Sequence, residues 1–154
     1  AQGIDPGRLV FAARMSLPDH LARHRLADLF LDTLPYNAHT TASDALFMNV
    51  PVVTRRGRAF QSRVAADLLT AAGMSELVTE TRAAFVDLGV RLGRDDEWRT
   101  SLSRRLAENK NSMMLFDTER LRRDIEAAYM HMLARAHRGE APAGFRIEVD
   151  GTAR

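Results

Sequence analysis

The residues most able to do chemistry lie between His20 and Asp44. Thr40 and Thr41 follow the polar loop Leu34-Pro35-Tyr36-Asn37-Ala38-His39, at the junction between an apolar run and the start of a helix. A helix N-terminus carries unpaired N–H groups and the positive end of the helix dipole, so it favours an anion. The two threonine hydroxyls add donors suited to a diphosphate. His39 adds a ring that can donate or stack, and Asp44, one turn on, a carboxylate able to accept from a ribose diol. The same residues also have a plain structural reading, with Thr40 or Thr41 as the N-cap, Asp44 complementing the dipole and His39 as a loop residue. His20 and His24 stand four apart on a predicted helix, the spacing of a two-histidine metal site. The glutamate of an H-E-x-x-H pair is missing, and no metal is expected. Arg55-Arg56-Gly57-Arg58 and Arg63 place four positive charges without an acid, either a solvated basic loop or a seat for a phosphate or an acidic partner.

The elements that must position these groups can be read from pattern. Arg8-Leu9-Val10-Phe11-Ala12-Ala13 follows Pro-Gly punctuation and predicts a buried strand. Ser16 as N-cap and Pro18 in the first turn predict a short helix around His20 to Arg25. Leu29-Phe30-Leu31 and Pro51-Val52-Val53-Thr54 predict two more strands, with a helix from Thr40 to Asn49 between them, and Leu77-Val78-Thr79 a last one. Strand and helix in alternation argue for an α/β fold with a short parallel sheet and crossover helices. In an open parallel sheet, ligands sit at the carboxyl ends of the strands. The later part is helical: Phe60, Val64, Leu68 and Ala71 stop at Gly73; Phe85, Leu88 and Leu92 stop at Gly93; Trp98, Leu102 and Leu106 form a stripe. Leu121, Ile125, Ala128, Met132 and Ala136 line a last helix that starts at Asp117-Thr118 and ends near Gly139. Met113, Met114, Met130 and Met132 read as core filling. The chain divides into a strand and helix part over 8–80, a helical part over 81–138 and a tail over 139–154.

Composition narrows the function classes. The 154 residues contain no cysteine, which excludes a disulfide scaffold, a cysteine-ligated metal and a thiol nucleophile. Apolar runs end far short of the roughly 18 residues a membrane span needs. The sequence pI near 9.6 sits beside a net charge of only +2, because 21 of the 22 basic residues are arginine and few groups titrate above neutrality. Such a chain lacks the broad positive field of a nucleic-acid binder. Neither G-x-G-x-x-G nor G-K-[ST] occurs, so neither a Rossmann dehydrogenase nor a P-loop NTPase is expected. The opening Ala1-Gln2-Gly3-Ile4-Asp5-Pro6-Gly7 has neither an initiator Met nor a signal peptide and reads as a piece cut from a longer protein.

Taken as an ordered pattern, H-x-x-R at His20 to Arg23, LAD-x-x-LDT at Leu26 to Thr33 and N-x-HTT-x-x-D at Asn37 to Asp44 lead into Pro51-Val52-Val53-Thr54, Gly57 and Ser62-Arg63-Val64-Ala65-Ala66. This series resembles the C-terminal catalytic lobe of the O-linked N-acetylglucosamine transferases, in their bacterial type. The similarity runs from Arg8 through Leu115-Phe116-Asp117-Thr118 into the final helix. The resemblance implies the C-terminal half of a Rossmann-like GT-B lobe and a UDP-sugar donor used without a metal or other cofactor. It implies that Thr40 and Thr41 hold the diphosphate, Asp44 the ribose hydroxyls, and that His39 lies beside the phosphates. His20 would pack on the uracil, with Arg23 and the Met15 backbone bonding its edge. Leu17 stands where the family pattern has a lysine that reaches the ribose and phosphates, and Phe47 stands at a Trp-like position. The general base is expected in the other lobe, so no catalytic residue is assigned here. The partners implied are UDP-N-acetylglucosamine, acceptor proteins and the N-terminal catalytic lobe, with tetratricopeptide-like repeats upstream and neither nucleic acid nor membrane. A cytoplasmic location is expected, as is self-association through a sheet edge left without its neighbours.

Overall fold

A computed structural model describes residues 3–148. Three short apolar runs form a parallel sheet in the order β1 (Phe30–Leu31), β2 (Val52–Arg55), β3 (Val78–Thr79). Phe30 lies opposite Val52, and Arg55 opposite Thr79. The crossovers are helical: α2 (Thr40–Phe47) joins β1 to β2, and α3 (Val64–Ala71) joins β2 to β3. Val52 and Val53 point to opposite faces and both are buried, so the sheet is covered on both sides. Leu31 meets Gly89 of α4 (Arg82–Arg94), which marks the face that carries Leu31 and Val53 as the α4 face. α2 and α3 cover the other, through the small residues Ala42, Ala45, Ala65 and Ala66. Leu92 of α4 and Leu102 and Leu106 of α5 (Asp96–Asn109) complete the core.

Helix α1 (Leu17–Arg23) starts as its sequence predicts, with Ser16 accepting from the Asp19 N–H and Pro18 in the first turn. Gly73 and Gly139 adopt positive φ at the ends of α3 and of α6 (Thr118–His137), while α4 runs one residue past Gly93. Two expectations fail. Residues 9–13 form no strand: Pro6–Arg8 is a 3-10 turn, and Val10 and Phe11 are 88% and 91% exposed. Apolar character suits a segment to a strand, but a strand exists only where another backbone receives its hydrogen bonds, and none of the described residues pairs with 9–13. The second failure concerns α6, which buries no residue. Leu121, Met130 and Met132 are exposed, as is Met114 before it, so only Met113 of that group, with Met74, fills the core. Among the described residues, the segment after α6 folds back on it, with Met132 and Ala136 lining a shallow pocket with Pro142 and Phe145 and the His131 ring beside Phe145 at 4.5 Å.

Candidate functional site

The site is built around the loop that carries the chain from β1 into α2. Asp32, the first residue past β1, is buried, and both its oxygens are engaged. Oδ1 accepts from the N–H groups of Thr33 and Ala38, each at 2.7 Å, and Oδ2 from the Thr54 hydroxyl at 2.5 Å. Thr79 in turn donates to the Thr54 carbonyl at 2.9 Å. One buried carboxylate thus fastens both ends of the loop to the sheet. Asn37 donates its N–H to the Gln61 carbonyl, and Gly57 to that of Ser62, which bring the loop after β2 alongside. A Cβ on Gly57 would fall 2.2 Å from the Ser62 hydroxyl, so that turn excludes any larger residue.

This scaffold delivers His39 at the N-cap of α2 with φ −105° and ψ −90°, and no side chain caps the helix. Thr40 and Thr41 are therefore first-turn residues with exposed side chains, and neither acts as the cap. The first N–H groups of a helix have no acceptor within it, so this end presents backbone donors and two hydroxyls outward. The His39 ring stacks on Tyr36 at 5.1 Å and meets the edge of Phe60 at 6.1 Å, and its Nε2 is buried without a hydrogen-bond partner.

A second cluster joins α1 to α2. Arg23 approaches His20 Nδ1 at 2.7 Å. A guanidinium can only donate, so Nδ1 is the acceptor and the ring proton sits on Nε2, which lies 3.7 Å from Asp44 Oδ2. Arg23 also donates to the Ala13 carbonyl at 3.1 Å, tying the segment that carries Met15 to α1. His24 turns its Nδ1 to the His20 carbonyl at 2.9 Å, with the two rings edge to face. No group of three or more His, Asp or Glu able to hold a metal ion occurs among the described residues. Leu17 is 65% exposed at the first position of α1. Arg23, bonded to His20 and Ala13, has two of its donors committed. The structure thus brings His20, Arg23 and Asp44 into direct contact and sets His39, Thr40 and Thr41 at the same end of α2. Asp32 and Thr54 were missed as site residues. The only sequence signal for them is an acid directly after an apolar run and a hydroxyl closing the next strand.

Sheet, crossover helices and an open helix end at the strands' carboxyl side define half of a Rossmann-like lobe. The chain belongs to glycosyl transferase family 41, whose sequence profile matches residues 1–125. It is 36% identical over 138 residues to the UDP-N-acetylglucosamine–peptide N-acetylglucosaminyltransferase of Caenorhabditis elegans, covering 90% of this chain and 12% of that protein. A Hordeum vulgare protein named as a probable enzyme of the same activity, SPINDLY, is 36% identical over 131 residues, covering 85% of this chain and 14% of its own length. The chain thus spans about an eighth of the length of these relatives. Among solved structures, the K341M mutant of Thermobaculum terrenum O-GlcNAc transferase superposes with a TM-score of 0.79 at 36% identity, over 85% of this chain and 25% of that one. The fold is accordingly that of part of a GT-B lobe. No helix among the described residues is long and apolar enough to cross a membrane.

Proposed function

We propose that this chain is the UDP-binding part of an inverting, cytoplasmic protein O-glycosyltransferase that moves N-acetylglucosamine from UDP-N-acetylglucosamine to Ser or Thr of acceptor proteins. The observation that carries the reading is the uncapped N-terminus of α2, with Thr40, Thr41 and His39 on it and the Asp44–His20–Arg23 cluster beside it, in a chain of family 41. The diphosphate binds the free N–H groups and the two hydroxyls, Asp44 accepts from the ribose, and His20 receives the uracil, whose edge bonds Arg23 and the Met15 backbone. As the sugar leaves, negative charge grows on the UDP phosphates. Donors already fixed in place stabilise that charge with little reorganisation. No metal is required in this scheme, and the base that activates the acceptor hydroxyl belongs to the companion lobe. Whichever sheet edge that lobe leaves uncovered is where copies of the chain would associate. Mass spectrometry of the full-length protein with UDP-N-acetylglucosamine and peptide acceptors tests the reading. The expected result is one N-acetylhexosamine per modified hydroxyl, and no transfer with the donor intact contradicts it.

Leu17 favours a second reading, a lobe of the same fold that binds a nucleotide sugar or a protein without catalysis, since an exposed leucine brings no charge to the phosphates. Titration of UDP separates the two. A catalytic lobe binds UDP and loses affinity in Thr41→Ala, whereas a degenerate one binds none and is indifferent to the substitution.

A further inference from the structure

The same anchored loop borders a second concavity, on the α4 face of the sheet. Alternation along β2 places Arg55 on the side of Val53 and Leu31, at the carboxyl end of the strand. There it lines a cavity of about 450 Å³ with Arg82, from the first turn of α4, over a floor that includes Pro35 and Phe85. Arg55 Nε is buried without a hydrogen-bond partner, and among the described residues neither arginine makes an ion pair. Their neighbour Arg56 does, with Glu80 at 3.8 Å. Asp32 also borders the cavity, but its two oxygens already accept three hydrogen bonds. Two guanidinium groups with no ion-pair partner among the described residues, one of them partly desolvated, make a built seat for a carboxylate carried on an aliphatic stem. The seat opens at the carboxyl ends of the strands, where ligands of such sheets lie.

We propose that Arg55 and Arg82 form a recognition site for an Asp or Glu side chain of the acceptor polypeptide, and so set acceptor preference. This rests on the acceptor being a protein, as proposed above. Arg55 and Arg82 act on acceptor affinity and leave UDP affinity unchanged, because the nucleotide groups stand on α1 and α2.

The test uses the full-length protein, saturated with UDP, and serine peptides in which one Glu is moved along the positions flanking the serine, each with a Gln twin. Binding is read by fluorescence anisotropy, and transfer separately by mass spectrometry. At one position the Glu peptide is expected to bind about tenfold tighter than its twin, as one charge-assisted contact supplies. The doubly substituted Arg55→Gln, Arg82→Gln protein should lose that discrimination and keep its UDP affinity. Arg82→Gln alone, at an exposed position, should lose part of it and covers the case in which the double variant does not fold. Equal binding of every twin pair overturns the proposal, as does a substitution that weakens both members equally. Competition by inorganic phosphate without any Glu over Gln preference also overturns it, by making the seat a phosphate site. Failure of transfer with discrimination in binding intact contradicts the activity reading and leaves the acidic-peptide site standing.

Discussion

Helices α2 and α6 begin in opposite ways. At α6 every device acts within one or two turns: Asp117 accepts from the Arg120 N–H at 2.8 Å, Glu119 occupies the first turn, and Arg122 bridges Glu119 and Glu126. At α2 there is neither a capping side chain nor an acid in the first turn, and the approach is held from outside by Asp32, Thr54 and Thr79, on all three strands or their ends. A donor that a helix gives to its own cap is no longer open to a ligand. One whose donors stay open must have its position fixed by something else, and at α2 a buried carboxylate does so. The open end thus keeps backbone donors available, whereas the cap at α6 serves its own helix.

The largest way to break this contrast is Asp32→Ala. It strands three buried or half-buried donors and is expected to cost about 3 kcal/mol in urea unfolding and to abolish UDP binding. Stability unchanged by the substitution would remove Asp32 as the anchor. Next, Thr41→Ala deletes one exposed hydroxyl that makes no hydrogen bond among the described residues; UDP affinity by calorimetry should fall about tenfold with no change in Tm. Its counterpart, Asp117→Ala, should do the reverse. Loss of the cap costs α6 about 1 kcal/mol, visible as reduced helical ellipticity and faster amide exchange at 118–121, with UDP affinity untouched. The smallest effect is that of acid. Glu119 is held below the usual glutamate range chiefly by the hydrogen bond from Arg122, which outweighs an opposing desolvation, with smaller help from the charges of Arg122 and Arg123. A lowered folded pKa means that its contribution is present above the ordinary glutamate range and is lost as pH falls through the depressed value. The side chain is exposed, so the change in α6 helicity should be slight and should disappear in Glu119→Gln.

Much of the candidate site was legible because its parts are local. Ser16 caps α1 three residues ahead of its acceptor N–H, and Thr40, Thr41 and Asp44 fall within two turns. What was misread depended on partners distant in sequence or missing. Thr40 and Thr41 looked equally like caps, and only the backbone of His39 decided that they are first-turn residues. Residues 9–13 have the composition of a strand, but no ladder among the described residues takes them in. Met130 and Met132 have the composition of a core, yet among the described residues nothing packs on α6 closely enough to bury them.

By itself the sequence determined the three strands from 30 to 79, the crossover helices and the run of donors from His39 to Thr41, because periodicity, caps and β-branching act over a few residues. Tertiary structure alone decided the bond between Asp32 and Thr54, 22 residues apart, and the pairing of His20 with Asp44. It also set Arg55 and Arg82 on one cavity with no ion-pair partner among the described residues. Contacts between residues this far apart form only when the sheet brings the carboxyl ends of its strands together, and no local pattern in the chain encodes them.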